Sequence, residues 1–239
     1  MNRFFLLLLI VAVGSQGFGQ SGFSNSASST FKDFGDYSMH PIMSGSGLNA
    51  FNSPENTKGR RYFFDEWVTG EIVSFNGKSI IGDQYLFNFD KVNNNILVTK
   101  DKKEVIEVNK DSIREIHFTD KGVAYNFEKV AKISAFRFVE VLVKNDKLSL
   151  YKTISTHLVK ANYTTNGLTE SGNPYDEFVD EPVYIICYKG EYKPVQLKFR
   201  SIRSNLKEES KKVNDFYAEH LDDEVDENYL KSIVNYINN

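Results

Sequence analysis

The stretch EWVTGEIVSFNGKSIIGDQYLFNFDKVNNNILVT, residues 66–99, decides the fold class of this chain. Its first run of β-forming residues ends at an Asn-Gly pair (76–77), the dipeptide most typical of a two-residue hairpin turn. A period of two then places one set of aromatic rings on a single strand face, namely Tyr85, Phe87 and Phe89. Three asparagines at 93–95 separate this strand from the next apolar run. The stretch therefore predicts consecutive antiparallel strands.

Short strand signals of the same kind continue along the chain, and we predict one antiparallel, β-rich body over residues 61–199. Turn residues at 144–147 and 189–190 predict two further hairpins. Connections this short favour antiparallel neighbours, because a parallel crossover needs a dozen or more residues. The predicted fold class is mainly β, and a curved antiparallel sheet, a barrel and a sandwich all fit the pattern.

The apolar period changes after residue 199, and residues 200–239 are predicted to form a C-terminal helical hairpin packed on the body. The first predicted helix, over 201–219, carries a stripe of Ile202, Leu206, Val213, Phe216 and Tyr217. Asp226 is placed to cap the second helix. Its stripe at helical spacing consists of Tyr229, Leu230, Ile233, Val234 and Ile237. A short isolated helix is marginal in water, so we expect this stripe to pack against the rest of the chain.

The N-terminal residues predict export. A positive start at Arg3 precedes ten apolar residues (4–13) and a small-x-small exit at 17–19, the pattern of a secretory signal peptide over residues 1–19. We place the cleavage between Gly19 and Gln20, followed by a flexible linker rich in Ser, Asn and Gly over 20–60. Gln20 and not a cysteine stands directly after the cut, so we expect no lipid anchor, and we expect no membrane span after signal removal. The expected location is the periplasm, the outer envelope surface or the exterior.

Composition narrows the class of partner. The 239 residues carry 29 basic and 32 acidic side chains, for a net charge of −3, which disfavours nucleic acid as a partner. A single cysteine, Cys187, rules out an intramolecular disulfide, and its apolar surroundings favour a buried thiol without a catalytic role. We expect the partner to be an envelope protein, a glycan or a lipid.

The motifs of the common enzyme classes do not occur in this sequence. It holds no G-x-S-x-G elbow, no phosphate-binding glycine loop and no histidine pair at metal-binding spacing. We therefore expect no catalytic, cofactor-binding or metal-binding residue, and no cofactor. The densest acidic group of the β region is a candidate ligand loop, because carboxylate oxygens can bind calcium or hydrolyse a glycoside. This loop contains Asp176, Glu177, Asp180 and Glu181. A solvated acidic loop without a ligand is the favoured interpretation.

Aromatic residues are the most suggestive feature, at 14% of the chain. Two one-sided patterns stand out, the one at 85–89 and a second formed by Val123, Tyr125 and Phe127. Such faces can line a groove for a lipid, peptide or sugar. They can equally form the core, where cross-strand aromatic pairs stabilise a sheet, and we favour the core.

A set of motifs extends over most of the chain after the predicted signal peptide. It consists of WVTG at 67–70, the Asn-Gly hairpin, YLFN at 85–88, NNILV at 94–98, FVEVLV at 138–143, LYK at 150–152 and the closing helix pair. This combination resembles small secreted proteins of Bacteroidetes-type bacteria that have no assigned activity. The resemblance implies a location outside the cytoplasm and a β-rich body, and it transfers no catalytic residue.

These observations favour one function over two others. We expect a non-catalytic binding or interaction module of the cell envelope or exterior. One alternative is a hydrolase acting on carbohydrate or lipid, with a carboxylate pair that the sequence does not reveal. The other is a structural component of the envelope. A convergent carboxylate pair in a deep pocket would favour the hydrolase.

Overall fold

A computed structural model describes residues 39–44, 55–81, 84–108 and 110–239, with the backbone alone for the first of these ranges. The predicted signal peptide, its cleavage point between Gly19 and Gln20, and most of the predicted linker lie outside the described residues. Within the described part of the chain, no helix has the length and apolar character needed to cross a membrane.

The fold is mainly β and ends in helices, which confirms the predicted fold class. The described ranges contain the strands β1 (Met39–Ser44), β2 (Thr57–Lys58), β3 (Thr69–Ser74), β4 (Ser79–Ile81), β5 (Leu86–Asp90), β6 (Asn95–Thr99), β7 (Glu104–Val108), β8 (Ile113–Asp120), β9 (Val123–Lys129), β10 (Phe138–Val143), β11 (Leu148–Val159), β12 (Thr164–Thr165), β13 (Glu170–Ser171), β14 (Asp176–Tyr188) and β15 (Glu191–Val195). The helices are α1 (Phe199–Asn205), α2 (Ser210–Glu219) and α3 (Glu227–Asn238).

The strands form a large sheet, a small sheet and one separate hairpin. The large sheet has the order β15-β14-β11-β10-β9-β8-β3-β4, and β2 lies beside β14 in the one parallel pairing among the described strands. The small sheet has the order β1-β7-β6-β5, and β12 pairs with β13 alone. The predicted hairpins at 76–77, 144–147 and 189–190 join β3 to β4, β10 to β11 and β14 to β15. At the last of these, Lys189 and Gly190 both have positive φ, as a tight hairpin turn requires.

One face of the large sheet, which we call the inner face, carries two separate layers. Phe138, Glu140 and the Lys152 opposite Glu140 share this face, as does Leu150 two residues before Lys152. Phe138 packs in a core with the small sheet, whereas Leu150 packs in a core with the helices. The small sheet and the helical layer therefore cover neighbouring parts of one sheet face.

The core under the small sheet is aromatic. Tyr85, Phe87 and Phe89 of the predicted pattern are buried there, which confirms that the pattern is core and not groove. The same core contains Phe64, from the segment before β3, and Phe118, Phe127 and Phe138 of the large sheet. The phenylalanine rings of this core meet edge to face or tilted at centroid distances of 5.3–6.4 Å, the favoured geometry for aromatic pairs.

The core under the helices is mainly aliphatic. The whole predicted stripe of α3 is buried, so that helix packs within the chain as expected. It faces Leu148, Leu150 and Ile186 of the large sheet. Both ends of α3 are fixed as well, since the Asp226 carboxylate accepts a bond from the Tyr229 amide (2.8 Å), and Lys147 and Lys212 donate to the Ile237 carbonyl. These bonds satisfy terminal backbone groups that a helix leaves without partners.

The structure corrects the predicted linker at two places. The strands β1 and β2 lie inside residues 20–60, where the sequence predicts a flexible linker. β1 pairs with β7 at the edge of the small sheet, and its register shifts after Pro41. An edge strand tolerates proline and a bulge and needs no alternating apolar pattern, so this segment does not have the sequence signature of a strand.

The predicted first helix is divided in two. α1 ends at Asn205, a 3₁₀ turn occupies Lys207–Glu209, and α2 begins at Ser210. Leu206 lies at the break with a non-helical backbone, and its side chain is fully buried. The break lets the two halves of the apolar stripe pack in one core, with Ile202 and Leu206 on one side and Val213 and Phe216 on the other.

Candidate functional site

A cleft of about 290 Å³ opens over the inner face, where the lining residues of the small-sheet side meet the uncovered part of β11 and β14. Its basic lining residues are Arg60, Lys91, Lys121 and Lys152, and its acidic ones are Asp65, Glu66, Asp120 and Asp180. The aromatic ones are Phe63, Phe64 and Tyr125, and Ile154 completes the lining. Basic and acidic groups are equal in number, so the cleft carries no net charge.

The segment before β3 forms one wall of the cleft and is held by the small sheet. The Phe63 amide donates to the Phe89 carbonyl (2.9 Å), and Val68 forms a bridge with Phe87. The buried side-chain amide of Asn88 donates to the Phe64 carbonyl (2.9 Å) and accepts from the Phe64 amide (3.2 Å). Because an amide side chain satisfies the backbone here, this irregular wall is fixed although it is not a strand.

Tyr125 and the Phe63–Phe64 pair form the aromatic part of the lining. The Tyr125 ring meets both phenylalanine rings edge to face, at centroid distances of 5.4 and 5.3 Å. Phe63 and Tyr125 are only half-buried, so their rings remain in part available to a ligand. No described residue forms a hydrogen bond with the Tyr125 hydroxyl. The prediction that Val123, Tyr125 and Phe127 form core is therefore right only for Phe127, since Val123 adjoins the turn at the end of the sheet and is 53% exposed.

A buried lysine joins the small-sheet layer to β14. Lys91, directly after β5, has a side chain only 7% exposed, and its ammonium donates to the Asp180 carboxylate (2.5 Å). The buried Thr156 hydroxyl on β11 donates to the other Asp180 oxygen (2.5 Å). A buried charge is tolerated when it is paired and hydrogen-bonded, and both conditions are met here.

A second ionic network lies where the helical layer begins. The Lys152 ammonium contacts the Glu140 carboxylate (2.8 Å) and the Glu227 carboxylate (2.9 Å). The Tyr184 hydroxyl donates to Glu227 as well (3.0 Å). The network ties the first turn of α3 to β10, β11 and β14.

Burial and the sharing of one ammonium by two carboxylates shift the pKa values of this network. Burial raises the pKa of the Glu140 carboxyl, and Glu227 adds to the rise, so that together they outweigh the effect of Lys152. Burial alone would lower the pKa of Lys152, but its two carboxylate partners raise it. Burial and the Glu227 carboxylate raise the pKa of Tyr184 to about 12.

The prediction of an acidic loop is wrong, because its four residues form neither a loop nor a single cluster. Asp176, Glu177, Asp180 and Glu181 lie on strand β14, paired with β11. The side chains alternate in direction along a strand, so the two aspartates point to one face and the two glutamates to the other. Asp176 is paired with Lys160 (2.7 Å) and Asp180 with Lys91. Only Asp180 lines the cleft, and the four carboxylates do not converge on one point.

Sequence reasoning missed Lys91, Lys152, Glu140 and Glu227. A signal for two of them exists, because Lys152 continues the inward positions of Leu148 and Leu150, and Glu140 follows the inward Phe138 by two residues. A charged residue in an inward register position indicates a buried ionic contact. Lys91 and Glu227 lie beside element ends, where no such periodicity exists.

Other features of the described residues give weaker support for a ligand site. Two further cavities lie between β15 and α1 and at the outer end of β11 and β14, of about 300 and 450 Å³, and neither contains a buried lysine. In the described ranges, no group of three or more His, Cys, Asp and Glu side chains has an arrangement that would hold a metal ion. Cys187 is half-buried. Comparison of the chain with protein-family models, curated proteins and solved structures gave no match.

Proposed function

We propose that this protein is an exported, non-catalytic binding module whose ligand occupies the cleft beside the small sheet. The observation that carries the proposal is the lining of the cleft, in which half-buried aromatic rings lie among equal numbers of basic and acidic side chains. Ligand sites commonly combine aromatic side chains with a small number of convergent polar groups that fix the orientation of the ligand.

The lining favours a neutral, polyhydroxylated ligand, namely a glycan. Hydroxyl groups use both donors and acceptors, and this cleft supplies ammonium, guanidinium and carboxylate groups together. An anionic ligand would need uncompensated positive charge, and a lipid would need a mostly apolar lining. The volume of about 290 Å³ lies at the small end for ligand pockets, so we expect the end of a glycan chain to enter it.

The partners of the carboxylates bear on whether the cleft binds or catalyses. Glu140 and Glu227 converge on Lys152, but neither lines the cleft. Of the four carboxylates that line it, Asp180 has both oxygens taken by Lys91 and Thr156, and Asp65 is paired with Arg60, so a hydrolase would have to use Glu66 and Asp120. A glycosidase needs an acid and a second carboxylate on opposite sides of the scissile bond. The hydrolase alternative would gain support from the release of reducing sugars by the purified protein.

The export part of the proposal depends on the N-terminal residues. The apolar run at 4–13 and the small residues at 17–19 support cleavage near Gly19 and Gln20. N-terminal sequencing of material recovered outside the cytoplasm should begin at or within a few residues of Gln20. Recovery of chains that retain Arg3 would contradict cleavage.

An oligosaccharide array tests the ligand class. We expect neutral oligosaccharides to bind and strongly anionic ones not to bind. Tyr125→Phe keeps the ring and removes the hydroxyl, and it should weaken binding about fivefold through the loss of one hydrogen bond. Tyr163→Phe, at a tyrosine 43% exposed and outside the cleft, is the matched control and should bind normally. Sedimentation of the unmodified protein with envelope fractions, without any glycan binding, would favour the structural alternative instead.

A further inference from the structure

Charge is unevenly distributed along the helical layer. Residues 198–211, which include α1 and the start of α2, contain five basic and two acidic side chains. Residues 213–227 contain seven acidic side chains and no lysine or arginine, and the net charge of the whole chain is −3. The helical layer therefore has a basic end at α1 and an acidic end at the turn before α3.

The basic side chains of this segment face solvent. All five are exposed, and together we call them the basic face: Lys198, Arg200, Arg203, Lys207 and Lys211. The last four follow one another at steps of three or four residues, which keeps side chains on one side of a helical segment. The other side of both helices packs in the core, through Ile202, Leu206 and Val213. From its second residue to its last, the basic face extends over about 16 Å at the rise of a helix.

The charge of the basic face is not neutralised within the chain. None of its five cations forms an ion pair or a side-chain hydrogen bond with any residue that the structure describes. The two glutamates of the segment are engaged elsewhere, Glu208 by Lys189 and Glu209 by Lys147 (3.0 Å). The next carboxylate along the chain, Asp215, lies one turn beyond the last lysine of the face, and no ion pair joins the two. The basic face therefore keeps its positive charge.

A stacked pair of aromatic rings borders the basic face. Phe199 lies between Lys198 and Arg200 in the chain, and its ring stacks on the Tyr217 ring at a centroid distance of 3.8 Å. Both rings are half-buried, so one side of the pair remains open to solvent. Aromatic rings beside lysine and arginine are typical of segments that lie at a membrane surface.

We propose that the basic face binds the anionic headgroups of a phospholipid membrane and so holds the exported chain reversibly at the envelope. Only Lys207 of its five cations also lines a cavity, so the five do not converge on one small anion. A layer of headgroups can meet all of them at once, and several basic residues acting together give weak, salt-sensitive binding. The acidic end of the helical layer is repelled by such a surface and orients the chain. The basic face is separate from the cleft, and its role rests on the export part of the proposed function alone.

A second copy of this chain is a poorer partner for the basic face. The acidic end offers three consecutive exposed carboxylates, Asp222, Asp223 and Glu224. Three residues span about 10 Å when fully extended, which is too short to meet cations distributed over about 16 Å. A membrane surface has no such limit of length.

The test is sedimentation of the chain, with the predicted signal peptide removed, together with vesicles at low ionic strength. The protein should bind vesicles of phosphatidylcholine mixed with phosphatidylglycerol and not vesicles of phosphatidylcholine alone. The double variant Lys207→Gln/Lys211→Gln should bind the mixed vesicles about tenfold more weakly, because it loses two of five cations. Added salt should release the unmodified protein, since it screens exposed charges.

The matched control removes the same charge elsewhere. Lys102→Gln/Lys103→Gln changes two exposed lysines in the turn between β6 and β7 and should bind the mixed vesicles as the unmodified protein does. Equal binding to the two kinds of vesicle, unchanged affinity in the Lys207 and Lys211 variant, or an equal loss in the control would each overturn the proposal. Binding to soluble polyglutamate without binding to the mixed vesicles would also overturn it and would assign the basic face to an acidic protein. Failure of signal cleavage would contradict the export proposal and leave the vesicle result unchanged.

Discussion

The two cores on the inner face use different side chains, and the difference follows from what covers them. Under the small sheet, strands on both sides are held at fixed spacing by their ladders, and interlocked rings such as Phe87 and Phe118 fill the space between. Under the helices, aliphatic side chains such as Leu150, Leu230 and Ile233 form the contact. Between the cores, ionic groups replace apolar ones. A sheet face with two kinds of cover therefore has a polar junction, and Lys152 of that junction also lines the cleft.

The largest losses of stability should come from truncating one large buried side chain in each core. Phe87→Ala should lower the free energy of unfolding by about 3–5 kcal/mol, and Leu230→Ala by about 2–4 kcal/mol. The cost should be greater at Phe87, because two hydrogen-bonded sheets close around a cavity less readily than a helix that can shift. Urea denaturation followed by circular dichroism measures both values.

Exposed residues of the same type provide the controls for this comparison. Phe75 is 57% exposed and Leu221 is 63% exposed, and their alanine variants should each cost less than about 1 kcal/mol. A loss at Phe87 no larger than that at Phe75 would contradict the aromatic core. A smaller loss at Phe87 than at Leu230 would contradict the idea that the sheet-on-sheet core is the stiffer of the two.

The next largest loss of stability should come from changing the ionic network of Lys152 at the junction between the cores. Lys152→Met keeps the length of the side chain but leaves Glu140 and Glu227 without their shared ammonium. Because an uncompensated charge in a largely buried position is costly, we expect a loss of about 3 kcal/mol in the free energy of unfolding. Lys193→Met, at an exposed pair with Glu191, should cost little. Similar losses of unfolding free energy in the two variants would show that the Lys152 network contributes no more than an exposed ion pair.

The junction should also weaken in alkali. The pKa of Tyr184 rises from its ordinary value of 10.0 to about 12 in the folded protein, and that of Lys152 rises as well. A raised pKa contributes stability that is present below the unfolded value and is lost as the pH climbs through the folded value. Stability should therefore fall between pH 10 and 12, and Tyr184→Phe should reduce that fall. An identical alkaline profile for this variant would assign the loss to other groups.

The smallest effect should come from the cap of α3. Asp226→Ala removes the acceptor of the Tyr229 amide and should cost about 1 kcal/mol. Asp223→Ala, at an exposed carboxylate in the preceding turn, should cost a few tenths of a kcal/mol at most. Thermal unfolding of the two variants side by side measures the difference, and equal melting temperatures would mean that α3 does not depend on its cap.

Much of this fold follows from local patterns. The alternating rings at 85–89, the Asn-Gly turn and the stripe of α3 each act through a single element, and the structure places them as the sequence predicts. β1 and the start of β14 could not be found in this way, because edge strands and exposed ribbons are stabilised by backbone pairing without an apolar period. The predicted first helix is interrupted at Leu206, because burial of this side chain in the core outweighs the helical periodicity of the local sequence.

The candidate site could be predicted from the sequence less completely than the fold. Lys91 and Asp180 are 89 residues apart in the chain, and only the packing of the small sheet against β14 brings them together. The acidic cluster at 176–181 was visible as composition, but the strand alternation that divides it needs a correct strand assignment. Ionic contacts between distant elements depend on topology, and the sequence left several topologies open.

The central claim is that the cleft beside the small sheet is the ligand site. The most direct test is a nuclear magnetic resonance titration of the isotope-labelled chain with a neutral oligosaccharide selected on the array. The account predicts that the largest amide shift changes occur at the cleft residues Asp65, Lys91, Lys121 and Tyr125, and that they diminish in Tyr125→Phe. Changes confined to residues 155–159 and 176–183 of β11 and β14, or to the cavity between β15 and α1, would contradict it, as would the failure of every neutral oligosaccharide to bind.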